Sequence, residues 1–91
     1  MRRVHVVVTG EVQGVGYRYT MQHVATDAGV SGWVRNRYDG SVEAEVEGTD
    51  EQVDRVLGWM ARGPRWGRVR DARVTEATPT GDTGFEVRRD G

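Results

Sequence analysis

The sequence predicts an α+β fold in which two amphipathic helices lie on one face of an antiparallel sheet of four or five strands. Apolar residues recur at helical spacing in two segments and at strand spacing in four or five others, and glycine or proline stands at nearly every change of spacing. Each helical segment has a single apolar stripe. Each helix therefore needs the sheet on one side only.

The first strand and first helix are separated by a change in hydrophobic spacing. Residues 3–9 alternate and are rich in β-branched valine, which favours a strand that Gly10 is expected to end. From Tyr19 the apolar residues follow the i, i+3, i+4, i+7 spacing of one helix face, and Gly29 stands where glycine commonly closes a helix. The stripe consists of Met21, Val24, Ala25 and Ala28.

A hairpin and a second helix follow. Residues 31–37 and 41–47 are predicted strands, and the Asp-Gly pair within residues 38–40 predicts the tight turn between them. Thr49 and Gln52 have the spacing of a capping box, and Gly63-Pro64 is expected to end the helix. Its stripe consists of Val53, Val56, Leu57 and Met60.

The C-terminal part has two shorter alternating segments, residues 68–75 and 84–89, separated by a turn cluster at residues 78–82. We expect one or both to complete the sheet. The resulting order of elements is the ferredoxin-like, split βαβ arrangement. In it the first two strands run parallel with the third between them, so their carboxyl ends share one edge of the sheet.

Length, composition and charge exclude several classes of protein. The 91 residues suit one domain, residues 1–91, without cysteine for disulfides or thiolate metal sites. The N-terminal apolar run is too short for a signal peptide, no run approaches membrane-spanning length, and the net charge of −1 favours neither nucleic acid nor membrane as a partner. We expect a cytoplasmic monomer. The five arginines between Arg62 and Arg73 are interpreted as a solvated face.

The loop between the first strand and the first helix is one candidate site. Residues 10–18, GEVQGVGYR, have three glycines in seven positions and place Arg18 at the mouth of the helix. Glycine permits positive φ, so backbone N–H groups can form an anion nest, to which a helix N-terminus and an arginine add positive charge. An ordinary glycine-rich turn with Arg18 in solvent fits the spacing equally well.

Asn36, late in the second strand, is the other candidate. Alternation places Gly32, Val34 and Asn36 on one side of the strand, at the edge where the glycine loop opens. The residues alone favour a different role, in which Asn36 caps the following turn.

Two motifs resemble the acylphosphatase family. Residues 9–18, TGEVQGVGYR, resemble its first signature, G-x-V-Q-G-V-x-[FY]-R, and residues 32–43, GWVRNRYDGSVE, resemble its second, G-W-V-R-N-x-x-D-G-x-V-E. The resemblance continues to the Phe85 strand. Departures are modest: Arg65 follows Pro64 where a second proline is common, Gly67 replaces a frequent alanine, and Tyr17 takes a variable aromatic position.

The resemblance implies metal-independent hydrolysis of acyl phosphates, with no cofactor and with phosphate or sulfate as a product-like ligand. It implies that Arg18 and Asn36 are catalytic, Arg18 holding the phosphoryl group and Asn36 orienting the water. The implied phosphate-binding residues are Gln13, Gly14, Val15, Gly16, Tyr17 and Arg18. Expulsion of a carboxylate, whose conjugate acid has a pKa of about 4, requires no general acid.

Two other functions are weighed against this one. An RNA-binding module would need a basic, aromatic sheet face, whereas the third strand points Glu43, Glu45 and Glu47 away from the core. The second alternative is a phosphate or carbamoyl-phosphate binding domain without turnover.

His5 and His23 are interpreted as surface or boundary residues. The tryptophans are interpreted as packing residues: Trp33, Trp59 and Trp66.

Overall fold

A computed structural model describes all 91 residues as two helices on one five-stranded sheet. The elements are β1 (Arg2–Glu11), α1 (Tyr17–Ala28), β2 (Ser31–Asn36), β3 (Val42–Gly48), α2 (Asp50–Arg62), β4 (Arg68–Ala77) and β5 (Phe85–Val87). The strand order is β4-β1-β3-β2-β5. The predicted ferredoxin-like arrangement is confirmed, and β1 and β2 both lie antiparallel to β3, so their carboxyl ends meet at one edge.

Both C-terminal segments join the sheet, on opposite edges. β4 pairs with β1 antiparallel, but β5 pairs with β2 parallel. The sheet is therefore mixed, whereas the sequence predicted an antiparallel sheet. The chain leaves β4 and returns in the opposite direction along the far edge. That return direction is also the direction of β2, which makes the last pairing parallel.

Gly10 does not end the first strand. β1 continues to Glu11, and the pairing register with β4 shifts between Thr9 and Gly10, which marks a β-bulge. Gly10 has a φ of 126°, and a Cβ atom there would lie 2.2 Å from the carbonyl oxygen of Arg68. The glycine therefore permits close approach of two backbones at the point where β1 turns towards the loop.

The core lies between the sheet and the helices and contains 16 buried residues. Helix α1 begins two residues earlier than predicted because Tyr17, 2% exposed, forms the first turn of its apolar stripe. The predicted end at Gly29 and the Thr49–Gln52 capping box of α2 are both confirmed. No helix is long and apolar enough to cross a membrane.

The opposite face of the sheet carries a network of ion pairs. Arg3 is 3% exposed and binds Glu45 and Glu47, while Glu43 binds His5 at 2.6 Å and Arg35 at 2.8 Å. The acids of β3 are therefore neutralised by neighbouring cations, and their negative charge is less exposed than the sequence suggested.

Glu47 also holds the connection between β4 and β5. Its carboxylate accepts hydrogen bonds from the amides of Thr80 and Gly81 at 2.8 and 3.0 Å. The Thr80 amide, together with Arg3 and the Gly81 amide, lowers the pKa of Glu47 below its usual 4.5 despite burial. The ionised carboxylate thus ties the connection to the sheet.

Glu47→Gln is expected to flatten the acid side of the stability curve. A pKa lowered by folding contributes stability above the unfolded value of about 4.5, and this contribution is lost as the pH falls through the folded value. Urea unfolding between pH 7 and pH 3 measures the difference. The variant should be less stable at pH 7, and the gap should close at low pH; exposed Asp27→Asn is the control. A gap independent of pH would contradict the assignment.

Candidate active site

The loop between β1 and α1 presents a run of unpaired backbone donors. Gly14 and Gly16 have φ of 73° and 80°, and no side chain caps the start of the helix. The first backbone hydrogen bond of the helix is donated by the amide of Thr20, to the Gly16 carbonyl at 3.1 Å. The amides of residues 14–18 therefore have no acceptor within the protein, which is the arrangement of an anion nest at a helix N-terminus.

Tyr17 fixes this loop to the core through its side chain. Its hydroxyl donates to the Met60 carbonyl at 2.8 Å, and its ring centroid lies 5.0 Å from that of Trp59. Burial raises the pKa of Tyr17, so the hydroxyl stays protonated as a donor at any ordinary pH. The side chain anchors the loop while the Tyr17 amide remains available.

Gln13 joins the loop to the β2–β3 turn. Its side-chain amide donates to the carbonyl oxygens of Arg37 at 2.7 Å and Ser41 at 2.8 Å. Sequence reasoning placed only the Gln13 backbone in the site and missed this contact. These two hydrogen bonds hold the loop close to Arg37, the residue that follows Asn36.

Gln13→Leu is expected to lower activity more than stability. Both carbonyls keep a backbone partner, so we expect a loss of about 1 kcal/mol in unfolding free energy. A displaced loop should lower kcat/KM for an acyl phosphate, the substrate class that the sequence motifs imply, by about 10-fold. Steady-state kinetics and urea unfolding measure both, with Gln22→Leu on α1 as the matched change. Unchanged kinetics would show that the bridge does not position the loop.

Arg18 lies beside the C-terminal tail, a contact that the sequence did not predict. Its guanidinium is 3.5 Å from the carboxylate of Asp90 and 5.5 Å from the ring centroid of Tyr19. The Gly91 amide donates to the Asn36 carbonyl at 2.9 Å, and the Tyr38 amide donates to the Gly91 carbonyl at 3.2 Å. The tail thus runs beside the end of β2 and brings a carboxylate to Arg18.

Asn36 lies in the same row of the sheet as Val42 and Val8, on the face covered by the helices. It is 8% exposed, and its Oδ1 atom is buried without a hydrogen-bond partner. Asp39 caps the following turn instead, accepting from the amide of Ser41 at 2.9 Å and from its hydroxyl. The alternative role of Asn36 as the cap is therefore wrong, and its buried Oδ1 atom accepts no hydrogen bond from the protein.

The aromatic residues outside the loop have different environments. Trp33 is 9% exposed and covered by the guanidinium groups of Arg35 and Arg88, at 5.4 and 4.9 Å from the ring centroid. Trp59 packs partly buried against the core, as predicted, but Trp66 is 76% exposed, so its predicted packing role is wrong. No bare aromatic platform remains on the open face for stacked bases.

Comparisons with known proteins agree with one another. The acylphosphatase family model matches residues 4–87. An acylphosphatase from Methylococcus capsulatus is 50% identical over 91 residues, covering 99% of both chains. The crystal structure of the Bacillus subtilis acylphosphatase superposes with a TM-score of 0.94 at 35% identity, covering 97% of this chain and 99% of that one. HypF from T. kodakarensis matches at a TM-score of 0.83 and 28% identity, but over 12% of its own chain.

Proposed function

The chain belongs to the acylphosphatase family, and from this premise we propose that Arg18 and the loop amides hold the phosphoryl group while Asn36 holds the attacking water. The reaction, hydrolysis of an acyl phosphate to a carboxylate and inorganic phosphate, follows from family membership. The proposal concerns which residues carry it out. We further propose that residues 1–91 form a single, monomeric, cytoplasmic domain.

The free amides support the phosphoryl site. Five consecutive N–H groups without acceptors stand at the positive end of the α1 dipole, where an anion is stabilised. The guanidinium of Arg18 adds a planar fork that matches two phosphoryl oxygens. Inorganic phosphate and sulfate should bind at the same place as product-like ligands.

The buried Oδ1 atom of Asn36 is the observation that carries the proposal. A buried acceptor without a partner costs about 1–3 kcal/mol, so its retention calls for an explanation. A water that donates a hydrogen bond to Oδ1 satisfies it and is held with a lone pair free to attack phosphorus. The bond from this water to phosphorus forms as the bond from phosphorus to the acyl oxygen breaks.

The leaving group explains why so few residues suffice. The departing carboxylate is a weak base, since its conjugate acid has a pKa of about 4, and it leaves without a proton. Phosphoryl transfer has a loose transition state that requires mainly positioning and charge stabilisation. A metal ion or cofactor is not needed for either task, and we propose none.

Hydrolysis of benzoyl phosphate in the presence of EDTA tests the proposed function. We expect turnover above the spontaneous rate and competitive inhibition by inorganic phosphate. A folded protein that binds phosphate but does not hydrolyse benzoyl phosphate would instead support the phosphate-binding domain, a role compatible with the occurrence of this fold within the longer HypF chain. Circular dichroism establishes folding in either case.

A further inference from the structure

A depression of about 530 Å³ adjoins Arg18, between the first turn of α1, the β2–β3 turn and the C-terminal tail. Tyr19, Tyr38, Arg89 and Asp90 contribute to its lining. Arg18 lines no other depression in the surface. Because the loop amides and Arg18 are proposed to take the phosphoryl group, this depression is open to the part of the substrate that extends beyond the loop.

Arg89 supplies the unpaired positive charge of this depression. Arg88 also lines the depression, but its charge is already engaged, since its Nε donates to Glu86 at 2.7 Å and its guanidinium lies over Trp33. Arg18 faces the carboxylate of Asp90. Arg89 is exposed and forms no ion pair, so an anionic group that enters the depression meets its charge directly.

Two tyrosines border the same depression. Tyr19 and Tyr38 are 60% and 86% exposed, although large aromatic side chains normally gain by burial. Their rings offer apolar surface to a carbon skeleton, and their hydroxyls remain in water. The volume of the depression falls in the range of small-ligand sites. It is larger than an acetyl group would require.

We propose that this depression is the acyl-group subsite, and that Arg89 selects acyl phosphates whose acyl group carries a second negative charge, such as a remote carboxylate. The inference rests on the proposed function, which places the phosphoryl group at Arg18. The tyrosines accommodate the carbon skeleton, and the charge at its far end reaches Arg89.

Three probes of similar size test the charge preference. Benzoyl phosphate, 4-carbamoylbenzoyl phosphate and 4-carboxybenzoyl phosphate differ at the para position, and the rigid ring prevents the carboxylate from attacking its own acyl group. Wild type should have a kcat/KM about two- to five-fold higher for the carboxylate than for the neutral amide, the effect of one exposed ion pair. Salt should reduce this preference. Arg89→Gln should abolish it and leave benzoyl phosphate turnover within about two-fold, whereas Arg88→Gln should retain it.

Binding separates failure of this inference from failure of the proposed function. 4-Carboxybenzylphosphonate should bind wild type more tightly than benzylphosphonate by calorimetry, and Arg89→Gln should remove the difference, whether or not the protein turns over. Turnover of benzoyl phosphate without any charge preference would overturn the subsite alone. Loss of the preference in Arg88→Gln, or an equal loss for all probes in Arg89→Gln, would also overturn it.

Discussion

Arg18→Gln is expected to lower kcat/KM for benzoyl phosphate by about 10³-fold or more while the protein stays folded. A loss of this size is expected when an arginine that stabilises the charge of a transferring phosphoryl group is removed. Glutamine keeps much of the length of the side chain but loses the permanent charge and the paired donors. Arg18 is partly exposed, and its only ion pair is the 3.5 Å contact with Asp90, so its removal should change stability little.

Two further variants identify which property of Arg18 matters. Arg18→Lys keeps the charge without the fork, and we expect it to recover only part of the activity. Arg65→Gln removes an arginine from the exposed segment after α2 and should leave the kinetics unchanged. A folded Arg18→Gln protein with kcat/KM within about 10-fold of wild type would show that the loop amides alone hold the phosphoryl group.

The topology was predictable because it depends on patterns that repeat along the chain. Alternating valines mark β1, and one apolar stripe in each helical segment requires both helices to lie on one face. The crossover rule then brings the carboxyl ends of β1 and β2 to one edge. This step placed the glycine loop near Asn36 without any knowledge of side-chain contacts.

The contacts that complete the site were not predictable in the same way. Gln13 reaches carbonyls in a turn 24 and 28 residues away, and Asp90 lies 72 residues from Arg18. No local spacing encodes such pairs, since they depend on where distant backbone segments end. The bulge at Gly10 was missed for a related reason: glycine also ends strands, and only the approach of β4 distinguishes the two roles.

The role of the Asn36 side chain could not be decided from the sequence for a different reason. An asparagine before a turn is commonly a cap, and the sequence prediction did not consider Asp39, three residues later, as a competing acceptor. The structure assigns the cap to Asp39 by its hydrogen bonds to Ser41. Competition between two acceptors for the same donors is decided by backbone geometry, which composition does not reveal.

Asn36→Ala is expected to lower kcat by about 10²- to 10³-fold, the usual cost of removing one positioned polar group from a reacting centre. Phosphate binding should be retained because the loop amides and Arg18 remain. The unfolding free energy should stay within about 1 kcal/mol of wild type, since Oδ1 forms no hydrogen bond that could be lost. Steady-state kinetics, phosphate calorimetry and urea unfolding measure the three quantities.

This combination distinguishes a water-orienting residue from a structural one. A structural asparagine would lose stability and activity together when it is replaced. Gln22→Ala is the control: its side chain contacts the Phe85 carbonyl at 3.4 Å, outside the site, so we expect it to lose stability and to keep its activity. Asn36→Asp keeps an oxygen at the position but places a negative charge beside the phosphoryl group, so it should restore little activity. If Asn36→Ala loses phosphate affinity in proportion to kcat/KM, its role is in binding the phosphoryl group and the attacking water must be held elsewhere.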